Sequence, residues 1–168
     1  MTEYQLRSNI IEIELLVNTV KEKMLPPFDE NALETEANKI YQLYEKNAVD
    51  LFETDKWKDR EKCVKKFGVT TSSGSNFYDI EQVLREINNI IKHGKKSKAV
   101  QRLFSKEPKF FEIRNRPNFK TNKSIIEPSL KNFTLEDLVH FSEKMKKFWE
   151  EFHAAQDSSY KNSLKKSK

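Results

Sequence analysis

The stretch from Asn76 to Gly94, NFYDIEQVLREINNIIKHG, decides how the chain is read. Ile80, Val83, Leu84, Ile87, Ile90 and Ile91 recur at helical spacing, which predicts a helix over about residues 77–92 with one apolar face. Asn76 stands where an N-cap is wanted, and Gly94 where a left-handed C-cap is wanted. At about 100° per residue, with Ile80 at zero, the apolar arc centres near 340°, whereas Arg85, Asn89 and His93 fall near 140°, 180° and 220°. These three side chains, at i, i+4 and i+8, are therefore expected in a row turned away from the core. Such a row faces solvent or lines a groove made with another surface, such as a second copy of the chain.

Upstream, Leu6, Ile10, Ile13, Val17, Val20 and Met24 form one apolar stripe over about residues 2–24. Pro26-Pro27 ends it, Asp29 can cap a successor, and Leu33, Ala37, Ile40, Tyr44, Ala48 and Leu51 repeat the pattern. Two matched helices across a short proline turn predict an antiparallel αα-hairpin. Between the hairpin and the central stretch, Trp57, Val64 and Phe67 suggest a short helix over 56–67, and Gly68 and TTSSGSN a loop. Downstream come a short helix over 97–104 and an irregular stretch punctuated by Pro108, Pro117 and Pro128. The last helix is well signed: Thr134 and Asp137 match a capping box, Phe133 can staple against Leu138, and Leu138, Phe141, Met145, Phe148 and Phe152 make its core face. Residues 156–168 have no apolar face and are expected to be a flexible basic tail on a single helical domain spanning 1–155. The expected fold is all-α, a bundle of about four to five helices that starts with the hairpin.

Composition supports this. With 34% charged and 36% hydrophobic residues but only three Gly and five Pro, the chain favours long amphipathic helices over a sandwich or barrel. No apolar run approaches the roughly 20 residues that cross a bilayer, and MTEYQLRSN lacks a secretory signal pattern, so a cytoplasmic protein with no membrane association is expected. The single Cys63 has no Cys or His at metal-site spacing, and neither metal nor cofactor is expected. Charge is unevenly spread: residues 1–55 carry 12 acidic and 5 basic side chains, whereas residues 92–123 carry 11 basic and 2 acidic. The basic segment includes Lys92, Lys95, Lys96, Lys98 and Arg102. It is either a phosphate-binding surface, with nucleic acid the commonest such partner, or an ordinary solvated face.

The row on the central helix carries the chemistry. An imidazole moves protons near neutral pH, an asparagine orients it or a phosphate, and an arginine neutralises a phosphorane-like transition state. Those are the parts of a metal-independent ribonuclease. His93 would assist attack of an RNA 2′-hydroxyl, with Asn89 and Arg85 beside it and the basic segment holding the backbone. The residues INNIIKHG and the following KKSKAVQRLFSKEPKFF, in a helical chain of this size, resemble the HEPN superfamily of prokaryotic nucleotide-binding and RNA-cleaving domains. The resemblance implies a helical bundle that dimerises, with an Arg-Asn-x-x-x-His signature lining the dimer cleft. It also implies a place in a toxin-antitoxin or antiphage defence system, with RNA, a second copy or a protein of the same operon as partner. Here the Asn-x-x-x-His half is present as Asn89 to His93, Asn88 stands where the active pattern has Arg, and Arg85 lies seven intervening residues from His93.

Plainer readings stand beside these. Lys92-His93-Gly94 is a good helix end in its own right. Arg85 is four residues after Glu81, as in a surface ion pair. His140 and His153 read as packing or surface residues. Phe104, Phe110, Phe111 and Phe119 either stack on bases or anchor the irregular stretch. At the level of function, the alternative is a non-catalytic HEPN-like interaction module, an antitoxin or accessory subunit.

Overall fold

The computed structural model describes residues 1–23, 30–93, 98–111, 113–114, 125–126, 130 and 132–166. Six helices account for nearly all of them: α1 (Glu3–Lys23), α2 (Glu30–Phe52), α3 (Trp57–Lys66), α4 (residues 76–93), α5 (Lys98–Lys106) and α6 (Leu135–Lys166). A 3-10 turn at Pro108–Phe110 follows α5, and Ile113–Arg114 pairs antiparallel with Ile125–Ile126. The proline turn at Pro26-Pro27, the Asp29 cap, Met24, Gly94, Lys95, Lys96, Pro117, Phe119 and Pro128 lie outside the described residues.

The apolar periods became the core. Ile13, Val17 and Val20 of α1, Leu33, Ala37, Ile40, Tyr44 and Ala48 of α2, and Leu138, Phe141, Met145, Phe148 and Phe152 of α6 are all buried. Each fully buried large side chain contributes about 1.5–3 kcal/mol of transfer free energy. Rings do much of the filling, with Tyr44 5.5 Å from Trp149, Phe77 5.6 Å from Phe148, and Phe52 and Phe67 on Phe152 at 5.1 and 5.3 Å. Helix ends follow local chemistry. Thr2 and Gln5 exchange side chain and backbone at 2.8 and 3.1 Å, and Thr134 and Asp137 do the same at 3.0 and 3.2 Å, so both long outer helices start with a capping box. Gly68, at φ +81°, closes α3 in the left-handed conformation.

Three findings add to or differ from the expectations. First, α1 lines a common groove with α2 but packs chiefly on α6. Its Glu3 meets His153 at 3.7 Å and its Glu14 meets Lys146 at 3.3 Å, so α1 and α6 run antiparallel. Second, the N-cap of α4 is Ser75, whose hydroxyl accepts from the Tyr78 N–H at 3.2 Å, and Asn76 is the first helical residue. Third, α6 does not stop near Ala155. Helical geometry continues to Lys166, with the Ser158 hydroxyl bonding back to the Ala154 carbonyl at 2.9 Å, because a helix already propagated for five turns extends at little cost.

The inner helix α4 is regular at both ends but π-helical over Asp79–Leu84, where the Arg85 N–H reaches back to the Ile80 carbonyl. The wider turn makes later residues lag the 100° wheel. Neighbours α2, α5 and α6 also cover α4 on several sides. Glu81, Glu86 and Asn88, all off the apolar arc in sequence, are therefore buried.

Candidate functional site

Glu86 organises the outer part of α4. It is fully buried and accepts both Nε and Nη2 of Arg102 at 2.9 Å, a fork reaching across from α5. Nη2 of Arg85 adds a contact at 3.1 Å, and the Asn89 amide donates at 3.4 Å. Burial alone would push the Glu86 carboxyl up, but the Arg102 hydrogen bonds and the charges of both arginines hold it below the usual carboxylate range. The same bond raises Arg102, whose side chain stays 49% exposed. One turn further back along α4, Lys106 donates to the Gln82 carbonyl and side-chain oxygen at 3.1 and 2.9 Å, its ammonium lowered by burial.

The structure thus brings Arg85 and Asn89 together, but around Glu86 rather than around His93. Arg85 is committed inward: its guanidinium lies 4.9 Å from the Trp57 ring centre and its side chain is 20% exposed. His93 ends α4 eight residues later, about 12 Å along the axis, and is exposed with no hydrogen bond among the described residues. Lys92, the preceding residue, and Lys98, which opens α5, are also exposed. Lys95 and Lys96 fall outside the described residues.

The expected Glu81–Arg85 surface pair is absent. Glu81 instead accepts Nε and Nη2 of Arg60 at 2.6 and 3.0 Å and the Tyr44 hydroxyl at 3.0 Å, all buried. Arg60 also donates to the Thr54 carbonyl at 3.2 Å. Burial would lower Arg60, but its bond to Glu81 outweighs that and raises it, while burial and Glu81 push Tyr44 well above the phenol range. Neither Arg60, Glu81, Glu86 nor the role of Arg102 in Glu86's pocket was legible as a site residue. Nothing local marked Glu81 and Glu86 among the other polar residues of the helix, and no local rule gives a partner 16 or 21 residues away.

Two aromatics of the basic segment, Phe110 and Phe111, are buried anchors that offer no stacking face, and half-buried Phe104 meets Phe111 edge-on at 5.7 Å. His140 is exposed with its ring 6.2 Å from that of Phe141, His153 is half-buried and meets Glu3 at 3.7 Å, and Cys63 is a half-buried free thiol. Among the described residues no His, Cys, Asp or Glu group could hold a metal ion, and no helix is long and apolar enough to cross a membrane. No protein-family model matches the chain, and neither a curated protein nor a solved structure emerges as similar to it.

Proposed function

We propose that this is a HEPN-like RNA-binding protein of a toxin-antitoxin or antiphage defence system, acting in the cytoplasm. The observation that carries the reading is the exposure of Lys92 and His93 at the end of α4 and of Lys98 at the start of α5, on which Glu86 also holds the half-exposed guanidinium of Arg102. Exposed cations bind phosphate without reading sequence. Metal-independent cleavage extends this reading: in a homodimer with paired His93, the imidazole would take the 2′-hydroxyl proton, with Asn89 as its neighbour on the helix. Arg85 is the weak member, because Trp57 and Glu86 hold it.

The test is incubation of the purified chain with total RNA in chelator, beside His93→Ala and a Lys92→Ala/Lys98→Ala variant. RNA binding should weaken with salt and be reduced in the lysine variant, by a salt slope lower by about 1.4 for two lost single-strand phosphate contacts. Cleavage lost in His93→Ala would establish the catalytic extension, and an absence of RNA binding at low salt would refute the whole reading.

A second reading, a non-catalytic HEPN-like antitoxin or accessory subunit that binds a protein of the same operon, is favoured by the inward commitment of Arg85. It expects His93→Ala to leave partner binding and cellular phenotype unchanged.

A further inference from the structure

Trp57 and Tyr78, both half-buried, line one cleft of about 260 Å³ formed by α3, the hydroxyl-rich loop that follows it and the start of α4. Gln82 and Glu61 give the cleft its polar lining, with Thr71 beside Glu61. The Gln82 side-chain oxygen already takes Lys106 at 2.9 Å, which leaves its amide hydrogens to donate. One Glu61 oxygen takes Lys65 at 2.8 Å and the Thr71 hydroxyl at 3.4 Å, which leaves the second to accept. Rings for a flat face, with a donor and an acceptor for an edge, are what a planar nitrogen heterocycle needs. The volume suits one such ring system rather than a larger organic molecule.

Charge around the cleft selects the rest of the ligand. Arg85 lies 4.9 Å from the Trp57 ring centre, Lys58 lies 5.9 Å from it, and Lys106 lies 5.8 Å from that of Tyr78. Arg85 is paired with Glu86, but Lys58 and Lys106 make no ion pair among the described residues. Aromatic rings that could otherwise hold a quaternary ammonium thus already carry cations, and a further cation is repelled. An anionic group attached to the heterocycle is attracted instead. We propose that this cleft holds one unpaired nucleobase against the Trp57 and Tyr78 rings, with Gln82 and Glu61 on its edge and its phosphate toward Lys106.

That the base belongs to an RNA rests on the function proposed above. The connection is α5, where Lys98, Arg102 and Lys106 stand at i, i+4 and i+8, on one helix face over about 12 Å. Arg102 meets Glu86 and Lys106 meets Gln82, so this row runs antiparallel to α4 and ends beside the cleft. Cations that track a strand's phosphates and rings that take its bases are the two parts of a single-strand surface. His93 lies about 16 Å further along α4 than Gln82, so the cleft holds a base away from the proposed cleavage site.

Trp57 reports on the cleft directly, because the other tryptophan of the chain, Trp149, is fully buried. With the full chain excited at the red edge of the tryptophan band, where bases do not absorb, nucleoside monophosphates should quench the emission saturably. Ribose 5-phosphate, which has the phosphate and no base, should not. A labelled single-stranded RNA followed by anisotropy should quench it as it binds. Gln82→Ala and, separately, Tyr78→Leu should weaken each ligand that quenches by about tenfold, with the circular dichroism spectrum unchanged. RNA that binds without quenching Trp57 would overturn the cleft and leave the RNA reading in place. Quenching by mononucleotides with no RNA binding would do the reverse and make the cleft a site for a free nucleotide. Quenching by ribose 5-phosphate, quenching that survives both substitutions, or none by any nucleotide or RNA would each overturn the proposal.

Discussion

Two arginine–carboxylate forks sit five residues apart on the same helix, at Glu81 and Glu86, and do different things. Arg60–Glu81 is sealed, 1% and 0% exposed, with Tyr44 completing the carboxylate and Thr54 the guanidinium. Arg102–Glu86 has the same bidentate geometry and a fully buried acid, but its arginine is 49% exposed. In the first fork both charges have left water and the pair can serve only the fold. In the second the acid is a fixed anchor and the cation faces solvent, where it can meet a phosphate. The contrast teaches that burial, more than ion-pair geometry, separates a structural charge from one available for binding.

The largest effect should come from breaking the sealed fork. Arg60→Ala leaves Glu81 charged, buried and short of its partner, and should cost about 3–5 kcal/mol in urea denaturation. A loss below about 1 kcal/mol would mean that Glu81 finds water or a proton without strain. Arg102→Ala should cost less, about 1–2 kcal/mol, because Arg85 and Asn89 stay on Glu86 and solvent screens the lost charge.

That second cost should depend on pH. Glu86 is depressed in the folded protein, so its contribution is present above the unfolded carboxylate value near 4.3 and is lost as pH falls through the lower folded value. Arg102→Ala lessens the depression, and the gap between wild type and variant should therefore narrow below about pH 4. A gap constant from pH 7 to pH 3 would exclude Glu86 as its cause. The smallest effect belongs to His93→Ala. An exposed helix-terminal residue should change stability by no more than about 0.5 kcal/mol, so any loss of RNA binding or cleavage in that variant reads on the site and not on folding.

Much of the architecture was visible in sequence. Periods of three and four residues named the core faces of α1, α2, α4 and α6, and Thr134 with Asp137 announced the start of α6, because these are local interactions within one or two turns. The site was less legible. Asn89 and His93 were placed on α4, yet the wheel gave no reason to bury Glu81, Glu86 and Asn88, since it could not know of the π-helical turns at Asp79–Leu84 or of the three helices packed around them. Arg85 was read as an open partner for Glu81. Packing gave Glu81 to Arg60 and stacked Arg85 on Trp57.

By itself, then, the sequence determined that this chain is helical, where its apolar stripes run, and that a histidine flanked by lysines closes its inner helix. Those properties follow from propensity, capping and periodicity, whose range is a turn or two. Only the tertiary structure decided which charges are sealed and which are exposed. Partners 16 and 21 residues apart meet through the packing of α3 and α5 on α4, and the desolvation that gives each fork its character exists only once those helices are in place.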